Sequence, residues 1–182
     1  HTLFSPIYTD FEDIDGDHVI DPAFKPKCKY YGYFDSVKCY IYNGAEGRFD
    51  PHSMSIIKDG RFTCSNSSKL WSGNFLNWAT MSRLDVVRKM LYGGKRLLDG
   101  EVGSNGSASI TVLERANLSQ DSHSFVKFYN GLDIRDYTPF SPSDLIRTDG
   151  VTRNKGEYAG LTICNRSDEQ SSRGNPTIRL AR

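Results

Sequence analysis

Ser72-Gly-Asn-Phe-Leu-Asn-Trp-Ala-Thr-Met-Ser-Arg-Leu-Asp-Val-Val-Arg-Lys-Met-Leu-Tyr92 is the clearest periodic stretch of the sequence. Leu76, Thr80, Leu84, Val87 and Leu91 recur at spacings of three and four, with Phe75, Ala79 and Met90 beside them, which places one apolar stripe along a helix. The spacing predicts one long amphipathic helix from Ser72 to about Tyr92. Ser72 or Asn74 can cap its free amides, Arg88 and Lys89 suit its negative end, and Gly93-Gly94 stop it through the left-handed conformation. A helix with such a face buries it against another element, and together with the strand-like segments on either side it gives α/β or α+β as the fold class.

Upstream, Tyr8 to Pro26 is acidic and rich in turn formers. Tyr30-Tyr-Gly-Tyr-Phe-Asp35 and Cys39-Tyr-Ile-Tyr42 then supply aromatic and β-branched residues suited to strands. Asn43-Gly44 and Glu46-Gly47 mark a hairpin turn toward Arg48-Phe49. Downstream, Asp99 to Ser109 has the Gly/Ser composition of a flexible loop. Ser109–Glu114, Ser124–Tyr129 and Gly160–Cys164 are strand-like, and Ile178–Arg182 reads as an apolar strand without a stop signal. The chain is thus one region: a β-rich, aromatic part with an acidic loop over 1–71, the helix within 72–98, the loop over 99–109 and a strand-rich part over 110–182.

A length of 182 residues suits one domain with a real core, burying roughly 70% of the unfolded surface. With 23 basic and 22 acidic side chains interspersed, nothing points to nucleic acid or an anionic membrane as partner. No run reaches the length of a membrane span, and no signal peptide opens at His1, so both ends are read as provisional. Cys28, Cys39, Cys64 and Cys164 lack the C-x-x-C pairing of zinc or redox sites. Four buried thiols would fit a cytosolic protein, and two disulfides an oxidising compartment. Of three possible pairings, Cys39 with Cys64 is expected because they bracket the turn-rich stretch before the helix; Cys28 with Cys164 is the remainder.

Asp13-Ile-Asp-Gly-Asp-His-Val-Ile-Asp21 places carboxylates at positions one, three, five and nine of an EF-hand-like loop, with the Val19 carbonyl at position seven. Four carboxylates in nine residues repel one another without a cation, and hard oxygens suit calcium. Asp13, Asp15, Asp17, Val19 and Asp21 are therefore the expected Ca2+ ligands. His18 replaces the turn glycine, Phe24 replaces the bidentate glutamate, and Pro22 and Pro26 bar a following EF-hand helix. The expectation is a clamp inside a loop rather than a sensor.

Other chemistry is weakly signalled. No His-Glu-x-x-His zinc motif or G-x-x-x-x-G-K phosphate loop occurs. Asp121-Ser-His-Ser124 collects triad residue types, but neighbours on a strand alternate faces. Asn66, Asn105, Asn117 and Asn165 begin Asn-x-Ser sequons. The Tyr30–Tyr42 aromatics read first as core and second as a sugar-stacking surface.

The motifs resemble those of the PilC/PilY proteins of type IV pili, in the region before their β-propeller. The resemblance rests on Asp13–Asp17, Tyr30–Ser36 with Lys38–Tyr40, Trp71–Asp85, Leu91–Lys95, Thr111–Ala116, Asp121–Ser124 and Asn175–Arg179. It implies a modified von Willebrand factor A-like part at the cell surface or pilus tip, no enzymatic activity, and roles in adhesion and pilus assembly. It also implies as partners minor pilins, a surface ligand and the remainder of the same adhesin. That fold's Asp-x-Ser-x-Ser metal motif and the strand bearing it are absent, so the chain is expected to need a neighbouring polypeptide over Leu84, Val87 and Leu91. The alternative reading is a secreted carbohydrate-binding module using Tyr30–Tyr42, with an accessory domain of a secreted hydrolase third.

Overall fold

The computed structural model describes residues 3–9, 13–21, 23–64, 69–100, 110–118, 124–146, 159–167 and 178–181. The expected hairpin forms from β1 (Lys38–Asn43) and β2 (Arg48–Met54), with Asn43 Oδ1 accepting from the amides of Ala45 and Glu46 in the turn. A small hairpin follows, β3 (Ile56–Lys58) with β4 (Arg61–Thr63). Then come β5 (Leu70–Ser72), helices α1 (Gly73–Thr80) and α2 (Arg83–Tyr92), β6 (Arg96–Asp99) and β7 (Thr111–Glu114). A second hairpin pairs β8 (Phe125–Tyr129) with β9 (Leu161–Asn165), and β10 (Arg179–Ala181) comes last.

The main sheet has the order β5-β1-β2-β10-β7-β6. Only β10 with β2 is parallel, a single bridge of Leu180 with Phe49; the other pairings are antiparallel. This mixed sheet fits the α/β class. A largely antiparallel sheet of short strands stands where a von Willebrand-type domain would bring a central parallel one.

The long helix expected over 72–92 is two helices. Ser72 does cap α1, its hydroxyl accepting from the Phe75 amide. At Met81 the backbone turns extended, and Ser82 starts α2 through a capping box with Asp85. That box satisfies free amides at a new N-terminus, so the break costs little. Gly93 ends α2 in the left-handed conformation (φ 83°), as its lack of Cβ allows.

Every residue of α1 is buried. Phe75, Trp78 and Ala79 join Phe24, Tyr30, Tyr129, Ile134 and Tyr137 in an aromatic cluster under the β8–β9 hairpin. Leu76 and Met81 join Tyr33, Phe34, Tyr40, Phe49, Leu113 and Leu180 against the main sheet. The helix is thus the shared wall of two cores.

Tyr30–Asp35, expected as a strand, is an irregular loop. Its backbone groups bond to side chains of α1 instead of a sheet ladder. The Tyr30 amide donates to Asn74 Oδ1 (2.8 Å), and Asn74 Nδ2 donates to the Cys28 carbonyl (2.8 Å). The Phe34 amide donates to Asn77 Oδ1 (3.0 Å), while Asn77 Nδ2 donates to the carbonyls of Tyr30 (2.9 Å) and Phe34 (3.0 Å). Gly32 lies so near that a Cβ there would stand 2.2 Å from Asn77 Oδ1.

Cys39 and Cys64 form a disulfide, with Cα atoms 5.9 Å apart. Cross-linking residues 25 apart stabilises by about 3 kcal/mol, mainly by restricting the unfolded chain. The second expected bridge does not form, and Cys28 and Cys164 are free thiols. Cys28 packs beside the aromatic cluster, whereas Cys164 is exposed on β9, where the alternating residues Leu161 and Ile163 turn to that cluster. The two thiols therefore face different surroundings.

Candidate functional site

The acidic loop is built from turns that its own carboxylates close. Asp13 Oδ1 accepts from the Gly16 (2.7 Å) and Asp17 (3.2 Å) amides, and its Oδ2 from the His18 amide (2.8 Å). Gly16 (φ 79°) and His18 (φ 67°) take left-handed conformations, so histidine does occupy the sharp position normally held by glycine. Asp15 Oδ1 accepts from the Asp17 amide (3.3 Å), and Asp17 Oδ1 from the Val19 amide (2.8 Å). Asp21, almost fully buried, accepts from the Ile14 amide (2.8 Å) and so closes the loop on itself.

One carboxylate oxygen each from Asp13, Asp15 and Asp21 lies within 4.8 Å of the others. Ligand oxygens about 2.4 Å from one calcium ion are at most about twice that distance apart, so these three fit a single coordination sphere. Asp17 stands outside that group, and the Val19 side chain is exposed.

Sequence reasoning missed the cation already there. Lys25 Nζ sits 2.6 Å from Asp15 and 3.5 Å from Asp17, and pairs also with Asp21. Its bonds to Asp15 and Asp21 raise its pKa above the ordinary lysine value, and the same contact holds Asp15 below the usual carboxylate range. Lys25 is four residues past Asp21, a spacing that pairs side chains on a helix and not in a loop, so the sequence did not mark it. Phe24 stands at the glutamate position because its ring belongs to the aromatic cluster, within 5.1–5.8 Å of Tyr30, Phe75, Trp78, Tyr129 and Tyr137. The loop is thus rooted in the core by the residue that forfeits a ligand.

Of the tyrosines between 30 and 42, Tyr30, Tyr33 and Tyr40 are core, while Tyr31 and Tyr42 are about half exposed. Tyr31 borders a cavity of about 400 Å³ shared with Lys29, Lys38 and Lys89. One face of its ring is covered by Lys89 Nζ, 4.2 Å from the centroid. The aromatic surface that remains is the other face of Tyr31 and the exposed part of Tyr42.

Among the other expected residues, Asp121, Ser122 and His123 lie outside the described residues, as do Asn66, Asn105 and the loop over 101–109. Asn165 is buried, accepting from Arg115 (2.5 Å) and donating to the Ala79 carbonyl (2.7 Å), so its sequon is closed to modification in the folded chain. Among the described residues no helix is long and apolar enough to cross a membrane.

The mixed sheet and its two helices define a small α/β domain. The chain belongs to the PilY1 homolog family: that family's domain, described as "PilY1 homolog, small alpha/beta domain", matches residues 21–181. The match opens at Asp21, so Asp13, Asp15 and Asp17 precede it. The chain is 40% identical over 147 residues to a type IV pilus biogenesis factor PilY1 homolog of Xylella fastidiosa (strain Temecula1 / ATCC 700964), covering 78% of this chain and 9% of that protein. To a second such factor of the same organism it is 34% identical over 97 residues, 52% of this chain and 7% of that one. The chain therefore spans less than a tenth of the length of these curated relatives. No solved structure matches it.

Proposed function

We propose that this chain is a non-enzymatic module of a type IV pilus biogenesis factor, displayed outside the cell, whose acidic loop is stiffened by calcium. The names of its relatives support the pilus role, and the Cys39–Cys64 disulfide suits an oxidising compartment. Attachment to surfaces, a place at the pilus tip and contact with minor pilins belong to the same reading.

The observation that carries the calcium part is the convergence of Asp13, Asp15 and Asp21 on one cation-sized space, where Lys25 offsets only one of the three charges. Asp13, Asp15 and Asp21 would hold the ion in place of the Lys25 ammonium, and Asp17, the Val19 carbonyl and water are the further oxygens the loop could offer. Lys25 is then an internal competitor that keeps the loop paired when calcium is scarce. The carbohydrate alternative loses Tyr30, Tyr33 and Tyr40 to the core and keeps only Tyr31 and Tyr42 at the surface.

Calorimetric titration of the chain with calcium tests this. One site is expected, with a melting temperature that rises with calcium and falls in EGTA. Asp21→Asn should abolish binding, and Lys25→Met should tighten it severalfold. Absence of heat in both the parent and Lys25→Met would remove calcium from the reading. The pilus role is tested separately, by counting surface pili in cells that carry Asp21→Asn in the chromosomal copy.

A further inference from the structure

Among the described residues the main sheet has one parallel pairing, the bridge of Leu180 with Phe49. Two residues past Phe49, Pro51 has no N–H with which to carry that ladder further. There Pro51, Leu180 and Ala181 border the cavity of about 400 Å³ whose other wall includes the Tyr30–Ser36 loop. The cavity therefore lies off the carboxyl side of two parallel strands, the place where open α/β sheets take their ligands, and its volume is that of a ligand site. Asn74 and Asn77 pin the loop to α1, so the wall is formed before any ligand arrives.

The lining has two chemistries. Tyr33, Phe34, Tyr40 and Leu180 are buried, and the polar groups beside them are already bonded: Asn77 holds the Phe34 amide and carbonyl, the Tyr33 hydroxyl accepts from the Lys95 amide, and the Tyr40 hydroxyl from the Asp35 amide. The charged residues of the lining are Lys29, Lys38, Lys89 and a single acid, Asp35. Lys89 is engaged by the Gly32 carbonyl and the Tyr31 ring, whose orientation it fixes. Asp35 approaches Lys38 only to 3.9 Å, both side chains being well exposed, and leaves Lys29 without a carboxylate partner in the lining. We propose that this cavity binds an acidic peptide segment, with one aromatic side chain entering against the uncovered face of Tyr31 and flanking carboxylates meeting Lys29 and Lys38. Charge complementarity favours carboxylates, and two separate ammoniums call for more than one. The bonded state of the wall disfavours a sugar, whose hydroxyls would find few partners there. This assignment is independent of the calcium and pilus readings.

The test is fluorescence anisotropy in EGTA, so that calcium bridges nothing, using a labelled, end-blocked peptide with one phenylalanine between pairs of glutamates. Saturable binding is expected with a Kd in the region of about 100 μM, weakening as salt is raised. Lys29→Glu with Lys38→Glu should weaken it about tenfold, and Tyr31→Ala severalfold, with melting temperatures unchanged. Lys58→Glu, an equal change of charge on the exposed β3 strand, should leave it within about twofold. No saturation by about 1 mM would overturn the proposal. So would equal weakening by Lys58→Glu, undiminished binding of a peptide with alanine for phenylalanine, or tighter binding of a galacturonate trisaccharide, which would make the cavity an acidic-sugar site.

Discussion

Helices α1 and α2 are separated by two residues and carry the same apolar spacing, yet α1 is buried in all eight of its positions and α2 only at Asp85. The difference lies in which polar groups hold each one. In α1 the amides of Asn74 and Asn77 bind the backbone of the Tyr30–Asp35 loop, so its polar side is buried against peptide groups while Phe75, Leu76 and Trp78 fill the cores on either side. In α2 the anchors are Asp85 and Lys89, and nothing among the described residues lies over the opposite face. Spacing shows that a helix has an apolar side; buried hydrogen bonds decide where that side points.

The largest effect that would sharpen this contrast is expected from Asn77→Ala. The substitution strips partners from the buried Phe34 amide and carbonyl, where each unsatisfied group costs roughly 1–3 kcal/mol, and leaves the Tyr30 carbonyl to the Ser36 hydroxyl alone. A loss of about 4 kcal/mol in urea unfolding is expected, with aromatic near-UV dichroism lost first. A loss under about 1 kcal/mol would mean the loop is held by ring packing alone, and the clamp would have to be abandoned.

The second effect belongs to the anchor of α2. Asp85→Ala removes the capping box and the acceptor of the Ala116 amide, and it leaves Arg115 without its neighbouring buried charge. Arg115 is held low, to about 10, by burial, with Asp85 the charge that opposes this, and its Nε has no hydrogen-bond partner among the described residues. A cost of about 3 kcal/mol is expected. Hydrogen exchange should show α2 opening while α1 stays protected; equal loss of protection in both helices would erase the distinction between them.

Much of this architecture was legible in the sequence. The β1–β2 hairpin, the strands near 111, 125 and 161, the Ser72 cap and the Gly93 stop all rest on local chemistry, and the structure has them where spacing put them. The break at Met81–Ser82 was hidden because its signal, Ser82 with Asp85, lies inside a continuous apolar period. The Tyr30–Asp35 loop reads as a strand because its hydrogen-bond partners are side chains 43 to 47 residues away. For the acidic loop, the carboxylate spacing was readable, but Lys25 and the core role of Phe24 emerge only once the chain folds back on α1.

The smallest effect is the one that separates the helices most sharply. If α2 and α1 differed only in degree, trimming Met90 and Leu91 to alanine would cost what trimming Leu76 costs, some 2–5 kcal/mol for a buried leucine. With Met90 and Leu91 mostly exposed, the double substitution in the chain alone removes little buried surface, and alanine's helix propensity offsets part of that. A change within about 0.5 kcal/mol is expected by chemical denaturation, together with a less sticky surface. A cost above about 2 kcal/mol would instead mean that α2 buries this stripe as α1 buries its own.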